Sequence, residues 1–208
     1  MTDWSAWHDA YDDPRSDLAR RLAFVQSHVR DVLNSSDGPL RITSACAGDG
    51  RDVLHVLAGR PDTGRVSVTL IESDERNVGR AQDFAAREGL GHVAFRQADA
   101  GNTDAYSGAV PADLLLMCGL MGNIVDADIH TLIQALPGMC RPGSVVLWTR
   151  TREAPDFTGQ IREWFAQNGF EEESFTAPGD MLCSIGRHRY TGEPRQLEPG
   201  QRLFTFVR

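Results

Sequence analysis

Short apolar runs alternate with helical repeats along the chain from residue 40 onward. Each run has the length of a β-strand and is followed by apolar residues at helical spacing. The predicted strands are 40–46, 66–72, 92–98, 112–118 and 144–150, with two more within 181–190 and 202–208, and the predicted helices are 50–58, 74–88, 126–140 and 157–168. This alternation predicts a mostly parallel sheet with helices on both faces.

The first 38 residues have a different pattern. Ser16 can cap a helix whose apolar residues recur at helical spacing, namely Leu18, Leu22, Val25, Val29, Val32 and Leu33. An aromatic cluster precedes that helix and contains Trp4, Trp7 and Tyr11 together with His8. We expect one domain of 208 residues, with residues 1–38 as a helical cap and 39–208 as the core. The cap is either a lid over a site or a packing segment.

Composition and charge narrow the class of protein. The net charge of −8 disfavours a nucleic-acid partner, because such partners attract basic surfaces. The chain has no apolar run of membrane length, and its acidic start does not resemble a signal peptide, so we expect a cytoplasmic protein without a membrane partner. The spacing of the four cysteines and six histidines indicates neither a metal site nor a disulfide framework.

The absence of lysine from the sequence is informative. All 21 basic residues are arginine, which excludes Schiff-base chemistry on a lysine and a phosphate-loop lysine. Arginine in place of lysine also fits a GC-rich bacterial genome, since lysine codons are AT-rich.

The turn after the first strand carries the candidate chemistry. Residues 41–54 read RITSACAGDGRDVL. Glycines in such a turn let a ligand approach backbone N–H groups at the start of the next helix. A dinucleotide and S-adenosylmethionine both bind at turns of this kind. The dinucleotide motif would need its third glycine where Val53 stands.

The segment SACAGDG resembles the first motif of class I S-adenosylmethionine-dependent methyltransferases. Gly48 and Gly50 match its glycines, whereas Ser44 replaces the usual acidic residue and Cys46 the first glycine. Later segments follow in the family's order: IESDERNVGRA, QADA, MCGLMGNI and LPGMCRPGSVVLWTR. The resemblance implies a single-domain, Rossmann-like α/β fold with a seven-stranded, mostly parallel sheet and an N-terminal helical cap.

The resemblance also implies S-adenosylmethionine as the methyl donor and S-adenosylhomocysteine as the product. Glu72 would accept hydrogen bonds from the ribose, and Asp99 and Ala100 would contact the adenine. The implied donor-binding residues are Tyr11, Cys46, Ala47, Gly48, Gly50, Asp52, Glu72, Ser73, Asp99, Ala100, Cys118, Gly119 and Leu120. For the methionine ammonium, Asp49, Asp52 and a residue of the N-terminal helix are alternatives.

Catalysis of methyl transfer depends largely on positioning, and an acceptor of high pKa also needs a general base. His188 and His8 are the candidate bases, and Trp7, Asn123 and Arg150 are the candidate substrate contacts. We expect O- or N-methylation of a small organic acceptor. The alternatives are an RNA- or protein-methylating enzyme and a non-catalytic cofactor-binding module. The sequence leaves open whether the chain forms a homodimer.

Overall fold

A seven-stranded sheet forms the centre of the protein, whose computed structural model describes residue 11 and residues 13–207. The strands are β1 (Leu40–Ala45), β2 (Val66–Glu72), β3 (Ala94–Gln97), β4 (Ala112–Met117), β5 (Cys140–Thr151), β6 (Phe170–Thr176) and β7 (Cys183–Tyr190). The helices are α1 (Asp17–Asn34), α2 (Arg51–Leu57), α3 (Glu75–Arg87), α4 (Asp126–Ala135) and α5 (Thr158–Gln167).

The order of the strands places a cleft at the carboxyl ends of the central strands, which we call the carboxyl edge of the sheet. The order is β3-β2-β1-β4-β5-β7-β6, with β1 to β5 parallel and β7 antiparallel to both of its neighbours. The chain builds outward from β1 to β3 and then returns to β4 on the other side of β1. Open parallel sheets bind ligands at the carboxyl ends of strands beside such a reversal. The predicted mostly parallel, seven-stranded sheet is confirmed.

Side chains of the central strands are buried on both faces. In β4, Leu114 and Leu116 pack into the core under α1, α2 and α3, whereas Leu115 and Met117 pack into the core under α4 and α5. A strand covered on both sides needs apolar residues at every position. The continuous apolar runs in the sequence therefore predicted these strands correctly.

Helix α1 begins where the sequence predicts it. The Ser16 hydroxyl oxygen accepts a hydrogen bond from the Ala19 N–H at 3.0 Å, which satisfies one of the N–H groups left free at a helix start. Val25 and Val29 are buried against the sheet. The division into a cap and a core remains a prediction, because Trp4, Trp7 and His8 lie outside the described residues.

Three elements differ from the sequence prediction. The helix predicted over 126–140 ends as an α-helix at Ala135 and continues as a short 3₁₀ turn over Leu136–Gly138, where Pro137 lacks the N–H that a helix requires. Residues 202–208 were predicted as a strand, but residues 201–207 have no regular secondary structure and make only isolated bridges at Arg202 and Phe206. The strand missing from the prediction is β6.

Among the described helices, none is both long and apolar enough to cross a membrane.

Candidate functional site

The turn between β1 and α2 is built from left-handed backbone. Cys46, Gly48 and Gly50 have φ angles of 52°, 57° and 73°, a region that glycine adopts without strain. The Ala47 N–H donates to the Ile71 carbonyl at 3.0 Å, which holds the turn against the end of β2. The tight turn brings the start of α2 directly to the carboxyl edge of the sheet.

Glu72 joins this turn to the next one. Its Oε2 accepts from the Gly48 N–H at 2.8 Å, and its Oε1 accepts from the N–H groups of Ser73 and Asp74, both at 2.9 Å. Three backbone donors therefore hold one carboxylate at the end of β2. A charge fixed in this way can bind a ligand without first being ordered.

Three neighbouring cavities lie along the carboxyl edge of the sheet. The first is about 430 Å³ and lies beside the β1 turn, and the second is about 380 Å³ and shares Cys46, Glu72, Ser73 and Phe206 with it. The third is about 230 Å³ and shares Arg21, Gly119 and Asn123 with the first. We call them the central, the β3-side and the β5-side cavities. The residues that they share make them neighbours along this edge.

A basic and an acidic side chain line the wall of the central cavity. Arg21 of α1 is 8% exposed, and it donates a hydrogen bond to the hydroxyl oxygen of Tyr11. Burial raises the pKa of Asp52, and the Arg21 guanidinium opposes that rise. Burial also raises the pKa of Tyr11 to about 12. A buried guanidinium and a half-buried carboxyl group thus line the same cavity.

Asp99 lies in the β3-side cavity and is held by two partners. Its Oδ1 accepts from the Gly101 N–H at 2.8 Å, and its Oδ2 pairs with the Arg202 guanidinium at 2.6 Å. Burial alone would raise the pKa of Asp99, but these two partners together lower it. The carboxylate is therefore ionised at neutral pH.

The structure brings most of the predicted donor-binding residues to two of these cavities. Those lining the central cavity are Tyr11, Cys46, Ala47, Gly48, Asp52, Glu72, Ser73, Cys118 and Gly119, and those lining the β3-side cavity include Asp99 and Ala100. Burial raises the pKa of the Cys118 thiol, which keeps it protonated. That state makes Cys118 a part of the wall and not a nucleophile.

Gly50 and Leu120 require correction, because neither lines these cavities. A Cβ on Gly50 would lie 2.6 Å from Leu70 Cδ1 and 2.9 Å from Leu54 Cδ1, so this glycine permits close packing of α2 against β2. Leu120 is fully buried in the core on the α4 and α5 side. Position within a motif did not reveal which side of the turn each residue faces.

Sequence reasoning missed several residues of the site. Arg21 stands three residues after Leu18 and four before Val25, so it interrupts the apolar stripe of α1. A charged residue on an apolar stripe is a signal that could have identified it. Arg202 and Phe206 come from the predicted final strand, and the sequence contains no comparable signal for them.

Asn123 and Arg150, the predicted substrate contacts, line the β5-side cavity. The Asn123 side chain donates to the Gly119 carbonyl at 2.7 Å. Arg150 donates to the Met121 carbonyl and pairs with Asp126 at 3.2 Å. Both side chains therefore hold the loop that follows β4, and Trp7, the third candidate, lies outside the described residues.

His188 was predicted at the carboxyl rim, and the structure corrects this placement. Strand β7 runs antiparallel to β5, and His188 pairs with Val146 inside the sheet. The His188 ring is 1% exposed, accepts from the Trp148 indole N–H at 3.1 Å and stacks on Phe165 at 4.3 Å. It therefore belongs to the core. His8, the other candidate base, is outside the described residues.

Replacing His188 with phenylalanine is expected to reduce the loss of folding stability that the protein shows as the pH falls from 7.5 to 5.0. Burial lowers the pKa of His188 to about 4, below its usual 6.5. Between these two pH values the histidine is protonated in the unfolded chain and neutral in the folded chain. The contribution of His188 to the free energy of unfolding therefore favours the folded state most above pH 6.5, and it decreases as the pH falls toward 4. At pH 5 this cost is about 2 kcal/mol, and the variant should not show it. Urea unfolding at pH 7.5 and 5.0 measures the difference. Equal pH slopes in both proteins would contradict the buried neutral state.

Comparison with known proteins gives a family and a fold. A family model described as "Putative methyltransferase" matches residues 18–171. Magnesium protoporphyrin IX methyltransferase from Synechocystis PCC 6803 with bound SAM superposes with a TM-score of 0.70 at 16% identity, covering 92% of each chain. None of the curated protein sequences matches significantly.

Two other solved structures share the fold. An O-methyltransferase family protein from Burkholderia thailandensis superposes with a TM-score of 0.60 at 15% identity, over 86% of this chain and 61% of its own. An rRNA methylase from Streptococcus thermophilus does so with a TM-score of 0.59 at 14% identity, over 79% of this chain and 95% of its own. At these identities the likeness shows the fold alone.

Proposed function

Because the chain belongs to the methyltransferase family whose model matches residues 18–171, we propose that it methylates a small organic molecule with S-adenosylmethionine as donor. Membership of the family makes the protein an S-adenosylmethionine-dependent methyltransferase, and S-adenosylhomocysteine is the product. The donor supplies an electrophilic methyl group on a sulfonium. The proposal concerns the residues that hold the donor and the kind of acceptor.

The fixed carboxylate of Glu72 is the observation that carries the proposal. It lies in the wall shared by the central and β3-side cavities, and its own turn orients it through three N–H groups. Each carboxylate oxygen can accept about two hydrogen bonds, and Oε2 accepts only the one from Gly48, so Glu72 retains capacity for one ribose hydroxyl. Such a charge-assisted bond contributes roughly 1.5–3 kcal/mol. We assign the ribose to Glu72.

The β3-side cavity suits the adenine. Asp99 is ionised and each of its oxygens has one partner, which leaves acceptor capacity for an exocyclic amine. Ala100 follows it in the same wall and is 4% exposed. A small residue there leaves room for a flat ring.

The central cavity suits the methionine part of the donor, which is a zwitterion. Ser44, at the usual acidic position, is 3% exposed and pairs with Leu70 and Leu116 inside the sheet, so it is not available to a ligand. Asp52 and Arg21 do line the cavity and provide an acidic and a basic side chain. We assign the ammonium to Asp52 and the carboxylate to Arg21.

Replacing Asp52 with asparagine is expected to weaken S-adenosylhomocysteine binding by roughly 10- to 100-fold, the equivalent of one charge-assisted hydrogen bond. Asparagine has nearly the same shape, so the fold should survive. Adenosine lacks the ammonium, and its affinity should not change. Calorimetric titration with both ligands measures this. An equal loss of affinity for adenosine would show that Asp52 does not act through the methionine ammonium.

The β5-side cavity suits the acceptor. Its volume of about 230 Å³ is below the range of roughly 300–1,000 Å³ for drug-sized ligands. It adjoins the central cavity through Gly119 and Asn123, so an acceptor there would lie next to the methyl group. The net charge of −8 also favours a small molecule over RNA.

Two experiments test the proposal. Calorimetric titration with S-adenosylhomocysteine should give saturable binding, whereas NAD should not bind. Transfer of labelled methyl groups to a panel of small phenols, carboxylic acids and amines should then exceed transfer to ribosomal RNA or to protein. Failure to bind S-adenosylhomocysteine would overturn the donor site. Transfer to RNA or protein alone would overturn the small-molecule acceptor.

A further inference from the structure

Residues 200–207 form a segment without regular secondary structure that crosses the carboxyl edge of the sheet, and we call this segment the strap. Its backbone N–H groups bond to anchors on two sides of the donor cavities. On the β3 side, the Gly200 N–H donates to Asp104 at 2.8 Å and the Leu203 N–H donates to the Gly101 carbonyl at 2.7 Å. Beyond β4, the Thr205 N–H donates to Asp128 and the Val207 N–H to the Asn123 carbonyl, both at 2.9 Å. The strap therefore spans the loops that follow β3 and β4.

The middle of the strap is anchored in the core. Leu203 is 3% exposed and Phe204 is 1% exposed. The Phe204 carbonyl lies so close to Gly101 that a Cβ on this glycine would be 2.4 Å from the carbonyl oxygen. Buried side chains and close backbone contact give the strap one position relative to the sheet.

Phe206 behaves differently from its buried neighbours. The Phe206 residue is 40% exposed and lines both the central and the β3-side cavities. Its ring meets the Phe204 ring edge-on at 5.6 Å, which supports it from the core side. Glu72 lies in the walls of the same two cavities. An aromatic ring is thus held, partly exposed, where the two cavities meet.

We propose that the strap is part of the donor site and that the Phe206 ring packs against the adenosine of the donor. The inference rests on the donor placement proposed above, in which Glu72 holds the ribose and Asp99 the adenine. Arg202 of the strap already contacts Asp99, so the strap reaches both ends of the adenosine. Aromatic rings attract flat bases, and placing Phe206 over the purine covers surface that would otherwise stay in water. The ligand class recognised by this ring is a purine nucleoside.

Phe206→Ala is the variant that tests the inference. It should weaken the binding of both adenosine and S-adenosylhomocysteine, each by about 10-fold. Phe206→Trp should retain binding, because an aromatic face is still present. Val207→Ala is the matched control, since Val207 is the next residue and is 58% exposed. Melting temperatures of both variants without ligand measure the stability lost with the Phe204–Phe206 contact, separately from the loss of binding.

The outcomes separate the inference from the function on which it rests. If the wild-type protein fails to bind S-adenosylhomocysteine, the donor site itself is wrong. If the wild-type protein binds and Phe206→Ala binds equally well, the donor site stands and the role of the strap is overturned. A loss of S-adenosylhomocysteine affinity with unchanged adenosine affinity would also overturn it, because Phe206 would then contact another part of the donor.

Discussion

Glu72→Gln is expected to reduce the affinity for S-adenosylhomocysteine by about 10- to 100-fold, at ~1.4 kcal/mol for each factor of ten. The substitution removes the charge that strengthens the hydrogen bond to the ribose. It also replaces one acceptor oxygen with an NH₂ donor. Either the Gly48 N–H or the pair of N–H groups from Ser73 and Asp74 then loses its acceptor, whichever way the amide turns. Calorimetric titration of the purified variant measures the loss, and thermal unfolding measures the cost to the turn.

Glu75→Gln provides the matched control for this substitution. Glu75 is the first residue of α3, is exposed, and lies three positions from Glu72, so its replacement changes the net charge by the same amount near the same place. Donor affinity should be nearly unchanged in this variant. If Glu72→Gln binds as well as Glu75→Gln, the ribose contact has been assigned to the wrong residue.

The sequence predicted the central strands well because burial on both faces leaves a direct mark on it. Every residue of β4 is buried except Asp113 at its amino end, which is partly exposed and is also the one residue of ADLLLM that is not apolar. That carboxylate accepts from the Arg41 backbone N–H and pairs with Arg141 at the far edge of the sheet. The apolar run Leu114–Met117 is therefore sufficient to predict a buried strand.

Strand β6 could not be predicted in the same way. Its sequence FEEESFT carries three consecutive glutamates, which is typical of a solvated loop or helix. Their partners come from elsewhere in the chain: Glu172 pairs with Arg162 of α5 at 2.6 Å, and Glu173 pairs with both Arg187 and Arg189 of β7 at 2.5 Å. These ion pairs form only when the chain folds, so the local sequence pattern does not indicate that these glutamates belong to a strand.

The site shows the same division between local and tertiary information. The order of the turns placed Glu72 and Asp99 at the carboxyl edge, because each parallel strand ends there. The sequence around β7 does not reveal that this strand runs antiparallel to β5. For that reason His188 was wrongly assigned to the carboxyl edge of the sheet. The strap depends on contacts with residues about 80 to 100 positions earlier, such as those of Thr205 with Asp128 and Gly200 with Asp104.

Gly48→Val is expected to abolish measurable donor binding, a loss of more than about 100-fold. Gly48 has a φ of 57°, which a β-branched residue adopts only with strain, of order 1–3 kcal/mol. Gly48 also lines the central cavity, and its N–H holds Glu72. Valine therefore places bulk in the wall of the cavity and disturbs the carboxylate that binds the ribose. Titration with S-adenosylhomocysteine measures the binding, and circular dichroism checks the fold.

Gly59→Val separates the loss of the site from the strain of the backbone. Gly59 has a φ of 77°, lies in the exposed turn after α2, and has open space where a Cβ would stand. Valine there should cost a similar amount of stability through the dihedral angle, with donor affinity unchanged because Gly59 lies outside the cavity walls described above. If both variants lose stability and both still bind, the turn after β1 does not contact the donor. If Gly59→Val also loses binding, strain alone accounts for the effect at Gly48. Loss of binding at Gly48 alone assigns the role to the cavity wall.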